Sequence, residues 1–395
     1  MKVLISGAGI AGPTLAYWLL REGAEITLVE KAPRLRTGGY IIDFWGAGFE
    51  IADRMDLLPE IRSRGHKVER VRVVNEHGKE VAGFAADVFD KMTHGRFSSL
   101  PRGDLSAMIF TKIEGKAAII FGDSVSGLRQ MEDGVRVSFE RGAERDFDIV
   151  VGADGLSSKV RELAFGAQAQ FEKYLGYKAA AFEVEGYRPR DELVYVMFTE
   201  VGQQTVRFAM REDRTTFLLT FEDGTVGGAD TPEEQKALVR KRFGNSGWEC
   251  GKILAALDSA KDFYFDRVSQ IRMESRPGLW TNGRVILLGD AASCVSLLAG
   301  QGSSLAMTAA YILAGELNRA GGDYARAFAR YQERFGPFVL KKQKAALRFA
   351  GSFAPKSKLS LVLRNQLFKL MGIHWIADLA VGRDLADHIA LPEYS

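Results

Sequence analysis

The stretch Lys2-Val3-Leu4-Ile5-Ser6-Gly7-Ala8-Gly9-Ile10-Ala11-Gly12-Pro13, followed by Ile26-Thr27-Leu28-Val29-Glu30, decides the fold. The apolar run Val3–Ile5 predicts a strand, Pro13 through Glu22 a helix ended by Gly23, and Ile26–Val29 a second strand, which is a βαβ opening. Gly7-x-Gly9-x-x-Gly12 falls on the strand-to-helix turn. The first glycine permits the tight turn, the second lets backbone approach a pyrophosphate, and the third lets helix pack on strand. The helix start, with Ile10 and Ala11, offers unpaired N–H groups and a partial positive charge. Glu30, beside Lys31, ends the second strand and can accept hydrogen bonds from both hydroxyls of an adenosine ribose. Together these residues predict dinucleotide binding.

Outward from this unit, Ala117–Phe121, Val135–Phe139 and Phe147–Val151 predict further strands of the same layered domain, with a helix from Ser157. From about Phe171 to Met273 the texture changes to aromatic and β-branched runs, which predict an antiparallel sheet. Thr231-Pro232-Glu233-Glu234 announces one helix over a face of that sheet by a capping box with proline at the first helical position. Val285–Leu288 reads as a buried strand again, followed by Gly289-Asp290 and the loop Gly300-Gln301-Gly302-Ser303-Ser304. The next helix carries Leu305, Ala309, Ile312 and Leu313 on one face. Beyond Tyr324 the pattern is helical, with breaks expected at Gly336-Pro337 and Ala354-Pro355. Leu359, Leu363, Leu367 and Leu370 are expected to pack the last helix across both domains, with a membrane-surface role for the basic and apolar faces of the C-terminal helices as the alternative.

Asp148-Ile149-Val150-Val151-Gly152-Ala153-Asp154-Gly155 and Gly283-Arg284-Val285-Ile286-Leu287-Leu288-Gly289-Asp290-Ala291-Ala292 join the N-terminal fingerprint in a recognisable order. With all three, the chain resembles the single-component FAD-dependent aromatic hydroxylases and monooxygenases. These share the p-hydroxybenzoate hydroxylase fold and include the tetracycline-inactivating monooxygenases. The resemblance implies an α/β fold: a glutathione-reductase-type, Rossmann-like FAD-binding domain with a mixed or antiparallel β-sheet substrate domain and C-terminal helices. The expected division is 1–70, 101–168 and 277–325 for the discontinuous FAD domain, 71–100 and 169–276 for the substrate domain, and 326–395 for the helical segment.

The resemblance also implies site residues. Asp290, after Gly289, would serve the ribityl chain and O3′ of FAD, and the backbone of Gly300, Gln301, Gly302, Ser303 and Ser304 would face the pyrimidine edge of the flavin. Arg102 and Leu105 match an R-x-x-L element whose arginine reaches the ribityl or phosphate region. Asp154 and Gly155 would touch FAD and NAD(P)H, and Asp43, in Gly38-Gly39-Tyr40-Ile41-Ile42-Asp43, would lie near the flavin ring. By residue type alone, Asp290 and the Gly300–Ser304 loop also read as helix caps, Asp154 and Asp43 as turn residues, and Arg102 as a solvated surface cation. Ser293, Leu298 and Ser304 stand where relatives often carry His, Pro and Asn.

The activity implied is reduction of FAD by NADPH or NADH, addition of O₂ at flavin C4a, and transfer of OH from that hydroperoxide to an aromatic or polyketide-like small molecule. No catalytic side chain is nominated, because the cofactor supplies the hard chemistry. Arg207, Phe208, Met210 and Phe217 are candidates for the substrate pocket, against the alternative that such residues are sheet core. Three other readings stay open: an FAD reductase that does not use O₂, a nicotinamide-only dehydrogenase, and a non-enzymatic dinucleotide-sensing module.

Composition narrows the field. In 395 residues, 53 Lys and Arg against 50 Asp and Glu leave a net charge of +3, spread along the chain, so no nucleic-acid footprint is expected. Two cysteines, Cys250 and Cys294, are too few for a disulfide framework or a zinc site, and no metal is expected. No apolar run spans a bilayer, and the first residues enter a strand without a signal-peptide pattern, so a cytoplasmic protein is expected. H-E-x-x-H, C-x-x-C, G-x-S-x-G and P-loop motifs are absent from the sequence, which removes support for those chemistries.

Overall fold

The computed structural model describes residues 1–35, 40–274, 279–370 and 389–394. Its central sheet has six strands in the order Thr281–Asn282, Val285–Leu287, Ile149–Gly152, Lys2–Ser6, Glu25–Glu30 and Ala118–Phe121. All pairs are parallel except the first, and Leu4 sits between Val150 and Thr27. Strands such as Val3-Leu4-Ile5 and Ile149-Val150-Val151 are fully buried, as a parallel sheet covered on both faces requires. The helices Ala11–Arg21 and Gly302–Arg319 and a three-stranded antiparallel sheet share this core. Val135–Phe139 belongs to that smaller sheet rather than to the central one, pairing with Val125–Gln130 and Arg145–Phe147.

A seven-stranded sheet forms a roof, in the order Phe263–Ile271, Glu172–Glu185, Arg214–Glu222, Gln203–Ala209, Val194–Glu200, Arg70–Val74 and Glu80–Ala85. It is antiparallel apart from the parallel pair Val194–Glu200 with Arg70–Val74. One face is covered by the helices Pro232–Phe243 and Cys250–Ala256, with Phe182, Phe217, Phe221, Val239, Phe243 and Ile253 between them. The capping box forms as its sequence dictates: Glu234 N donates to Thr231 Oγ1 at 3.3 Å and Thr231 N to Glu234 Oε2 at 3.0 Å. A two-stranded ribbon, Ile41–Trp45 with Phe97–Pro101, lies between the central sheet's domain and the roof.

Two expectations for the C-terminal segment are corrected. The helix Tyr324–Phe353 runs straight through Gly336-Pro337 and ends only before Ala354-Pro355. An interior proline costs about 3 kcal/mol, yet Phe328, Tyr331, Phe335 and Val339 are all buried along one side, each worth roughly 1.5–3 kcal/mol, so continuity wins. The leucines of Lys358–Leu370 do not pack inward: Leu359 is 69% and Leu363 61% exposed. The opposite stripe faces the roof, where Arg364 donates to Thr199 Oγ1 at 3.0 Å and the Phe368 ring meets Phe84 at 5.9 Å. No helix among the described residues is long and apolar enough to cross a membrane.

Candidate active site

The fingerprint turn is closed below and open above. A Cβ on Gly7 would strike the Ala153 carbonyl, and one on Gly12 would strike the Gly7 carbonyl, so the turn, strand and helix touch through backbone. A Cβ on Gly9 would meet nothing nearer than Arg102 Nη2 at 3.6 Å. Space therefore remains above Gly9 for a group that a side chain would displace. Ile10 is buried and anchors the turn, its carbonyl accepting from Thr14 Oγ1 at 2.7 Å, and Ala11 begins the helix.

Glu30 is held on both oxygens. Ala8 N donates to Oε2 at 2.8 Å and Ala32 N to Oε1 at 2.9 Å. Each carboxylate oxygen has a second lone pair, so the orientation is fixed while acceptor capacity remains; Lys31 is exposed beside it. Arg102 opens the helix Arg102–Thr111 and its N–H donates to the Tyr40 carbonyl at 3.0 Å. Its guanidinium makes no hydrogen bond among the described residues and lies near Gly9, Tyr40 and Asp290. Leu105 is fully buried and serves packing, whereas Ser106 Oγ, which the sequence did not single out, donates to the Gly9 carbonyl at 3.3 Å.

Asp290 follows Gly289 at the start of a short helix and lines a recess with Ser293, Gly302, Leu305 and Ala306. It is reachable from the cleft yet enclosed by protein, so burial raises its carboxyl above the usual range while Arg102 opposes the shift. Tyr40, Tyr264 and Asp266, none of them singled out by sequence, surround the same space, with the two tyrosine rings 5.1 Å apart. Burial pushes Tyr40 up to about 12. Cys294 donates from Sγ to the Ser269 carbonyl at 3.5 Å, and burial first, then Asp290, pushes the thiol well above its ordinary value, which suits a packing residue rather than a thiolate.

Gln301 precedes the helix Gly302–Arg319, and a Cβ on Gly300 or Gly302 would meet open space. Ser303 is half-buried at the helix start. Ser304 is engaged elsewhere: its Oγ accepts from Gly48 N at 2.9 Å, and Gly48 lies so close that a Cβ there would stand 2.5 Å from Ser304 Cα. The Ser304 side chain thus joins two helices. Asp154 likewise caps a helix, taking Ser158 Oγ at 2.5 Å on Oδ1 and the N–H of Lys159 and Val160 on Oδ2 at 2.8 and 3.1 Å. Gly155 next to it faces open space. Gly38 and Gly39 lie outside the described residues.

On the roof, the register separates the four candidates. Phe208 is opposite Tyr195 and Thr216, on the face toward the ribbon, and Met210 shares its cluster with Ile41 and Phe97. Arg207 is opposite Val196 and Phe217, on the face under the helices. There Arg207 is 1% exposed, ion-paired to Glu249 and Asp191 at 2.5 Å each, and its guanidinium lies over Trp248. Arg207 and Phe217 are core. The opposite face carries Tyr195, Thr216, Thr220, Tyr264 and Asp266, and, where the helix Lys358–Leu370 covers it, Thr199 and Gln204. Asp43, on the ribbon, reaches this face: its Oδ1 accepts from Ser99 Oγ at 2.5 Å and from Tyr195 OH at 3.0 Å.

A family model described as an FAD binding domain matches residues 1–326. A flavin-dependent monooxygenase of Legionella longbeachae is 32% identical over 398 residues, covering 100% of this chain and 98% of that protein. The crystal structure of tetracycline destructase Tet(51) aligns with a TM-score of 0.81 at 32% identity, covering 100% of this chain and 99% of its own. Klebsiella pneumoniae HpxO complexed with FAD and uric acid aligns at a TM-score of 0.81 and 21% identity, covering 99% of this chain and 98% of its own, and so shares the fold.

Proposed function

The chain belongs to the FAD-binding family of flavin-dependent monooxygenases, and from that premise we propose that it uses NADPH or NADH with O₂ to hydroxylate an aromatic or polyketide-like small molecule. The observation that carries this reading is that two kinds of wall meet where Tyr40 and Tyr264 pack together beside Arg102 and Asp290. Below are the open space at Gly9, the guanidinium of Arg102 and the enclosed carboxyl of Asp290; above is a sheet face of rings, hydroxyls and amides. The likeness to Tet(51) over the whole chain supports a polycyclic, oxygen-rich substrate.

In this reading the helix start at Ala11 and Gly12 and the guanidinium of Arg102 hold the pyrophosphate. Glu30, kept in place by Ala8 and Ala32, accepts from the adenosine ribose. Asp290 would accept from the ribityl chain, and the N–H groups at the start of Gly302–Arg319 would hold the flavin ring by its polar edge. FAD, when bound, supplies the redox chemistry with the nicotinamide and O₂. The roof excludes water and orients the substrate by the groups on its cleft face.

The test is the absorption spectrum of the purified protein after incubation with FAD, then addition of NADPH or NADH with and without phenols, quinones and tetracyclines while O₂ is recorded. The expected result is a bound flavin spectrum and nicotinamide oxidation accelerated by one substrate class with matching O₂ uptake. A protein that stays colourless overturns the cofactor placement. Substrate reduction without O₂ uptake replaces hydroxylation with a reductase activity.

A further inference from the structure

Asp43 differs from Glu30 and Asp154 in how its carboxylate is held. Glu30 and Asp154 have both oxygens hydrogen-bonded to their own surroundings. Asp43 has only one oxygen so held, because both its donors, Ser99 Oγ and Tyr195 OH, converge on Oδ1. Oδ2 has no partner among the described residues and is not sealed from the open space. The donors are themselves fixed. Ser99 is fully buried and its backbone exchanges hydrogen bonds with His66, N to O at 3.0 Å and O to N at 2.7 Å. The Tyr195 ring stacks on Phe208 at 4.4 Å.

This bonding joins floor to roof, since Asp43 and Ser99 lie on the ribbon and Tyr195 on the seven-stranded sheet. A molecule between the two must pass beside Oδ2. Burial raises the Asp43 carboxyl above its ordinary range, and the hydroxyl hydrogens of Ser99 and Tyr195 donated to Oδ1 oppose that shift; as a carboxylate the group only accepts, and Oδ2 is the oxygen left to do so. The complementary ligand group is therefore an O–H, and most strongly an acidic one, because a charge-assisted bond is the stronger kind. We propose that Asp43, positioned by Ser99 and Tyr195, is the acceptor for a phenolic or enolic hydroxyl of the substrate and so selects molecules that carry one. This rests on the monooxygenase reading above and adds the group recognised.

The experiment uses the FAD-loaded protein without nicotinamide, titrated with 2-naphthol, its methyl ether and tetracycline while the flavin absorption is followed. Wild type should bind the naphthol about 10-fold or more tightly than the ether, the size expected for one hydrogen bond to a charged group. Asp43→Asn should remove most of that preference with flavin content unchanged, and Tyr195→Phe should narrow it while the ring stacking persists. If Asp43→Asn fails to fold, Tyr195→Phe and Ser99→Ala carry the same comparison. Equal affinity for naphthol and ether in wild type, or an unchanged preference in the variants, overturns the proposal. Loss of flavin from Asp43→Asn overturns it too and makes Asp43 a cofactor residue. Failure of all three compounds to perturb the flavin overturns the hydroxyl assignment, while flavin retention and O₂ uptake judge the monooxygenase reading separately.

Discussion

On the floor of the cleft the geometry follows from atoms that are missing, the Cβ positions of Gly7, Gly9 and Gly12, whereas on the roof it follows from side chains sorted onto two faces by strand register. The floor tolerates almost no change, yet its glycines differ in what they do, since two close the turn and one leaves it open. The roof has two populations of polar groups. Those under the helices, Arg207 with Glu249 and Asp191, are paired with one another, and those over the cleft, such as Tyr195 with Asp43, leave an acceptor unmatched. A polar residue in a sheet thus points to a ligand only when its partners leave something over.

The difference can be broken in four places. Gly12→Val places a branched side chain against the Gly7 carbonyl and Ile5; a loss of more than about 4 kcal/mol is expected, read as insoluble or unfolded protein by circular dichroism. Arg207→Met leaves Glu249 without its cation, while Asp191 keeps Arg72 at 2.7 Å, and should cost about 3 kcal/mol, read as a lower thermal midpoint. FAD bound per folded molecule should not change, because this face is turned away from the cleft. Gly9→Ala should do the reverse: an unchanged midpoint of the apoprotein, with FAD affinity reduced about 10-fold or more by a methyl group in the pyrophosphate space. A Gly9→Ala protein with full FAD affinity would remove the floor from the site.

The smallest effect is expected where floor meets roof, at His66. Burial first, then Arg211 and Arg214, lower its pKa from an ordinary 6.5 to about 4. Below about 6.5 the unfolded chain takes a proton that the native imidazole refuses, so stability present above that pH is lost progressively down to about 4. Urea unfolding at a series of pH values should show this slope in wild type and a flatter one in His66→Gln. Equal slopes would place the acid sensitivity elsewhere.

Much of the floor was legible because a glycine at a strand-to-helix turn has few reasons to be there, and Glu30 follows at the end of the next strand. The capping box at Thr231 was legible for the same reason, that its signal is local. The helix through Pro337 was not, because the four side chains that hold it together draw their energy from distant partners. The leucines of Lys358–Leu370 misled because two stripes of that helix compete, and the roof accepts the one with Arg364 and Phe368. Arg207 and Phe208 are neighbours in sequence, and only register assigns them to opposite faces. Asp43 reaches Ser99 and Tyr195 across 56 and 152 positions of chain, a separation no motif spans. Asp154 and Ser304 were visible as residues, but their engagement with Ser158 and Gly48 was not.

The order of strands in the central sheet has a consequence for biosynthesis. Ile149–Gly152 lies between Lys2–Ser6 and Val285–Leu287, so its outer edge stays open until Val285–Leu287 has left the ribosome. At about 5–20 residues per second, that apolar edge stays exposed for roughly 7–27 s. A fragment ending before residue 285 should be held by chaperones or aggregate, and the nascent chain acquires its flavin site only after Val285–Leu287 and the start of Gly302–Arg319 have been made.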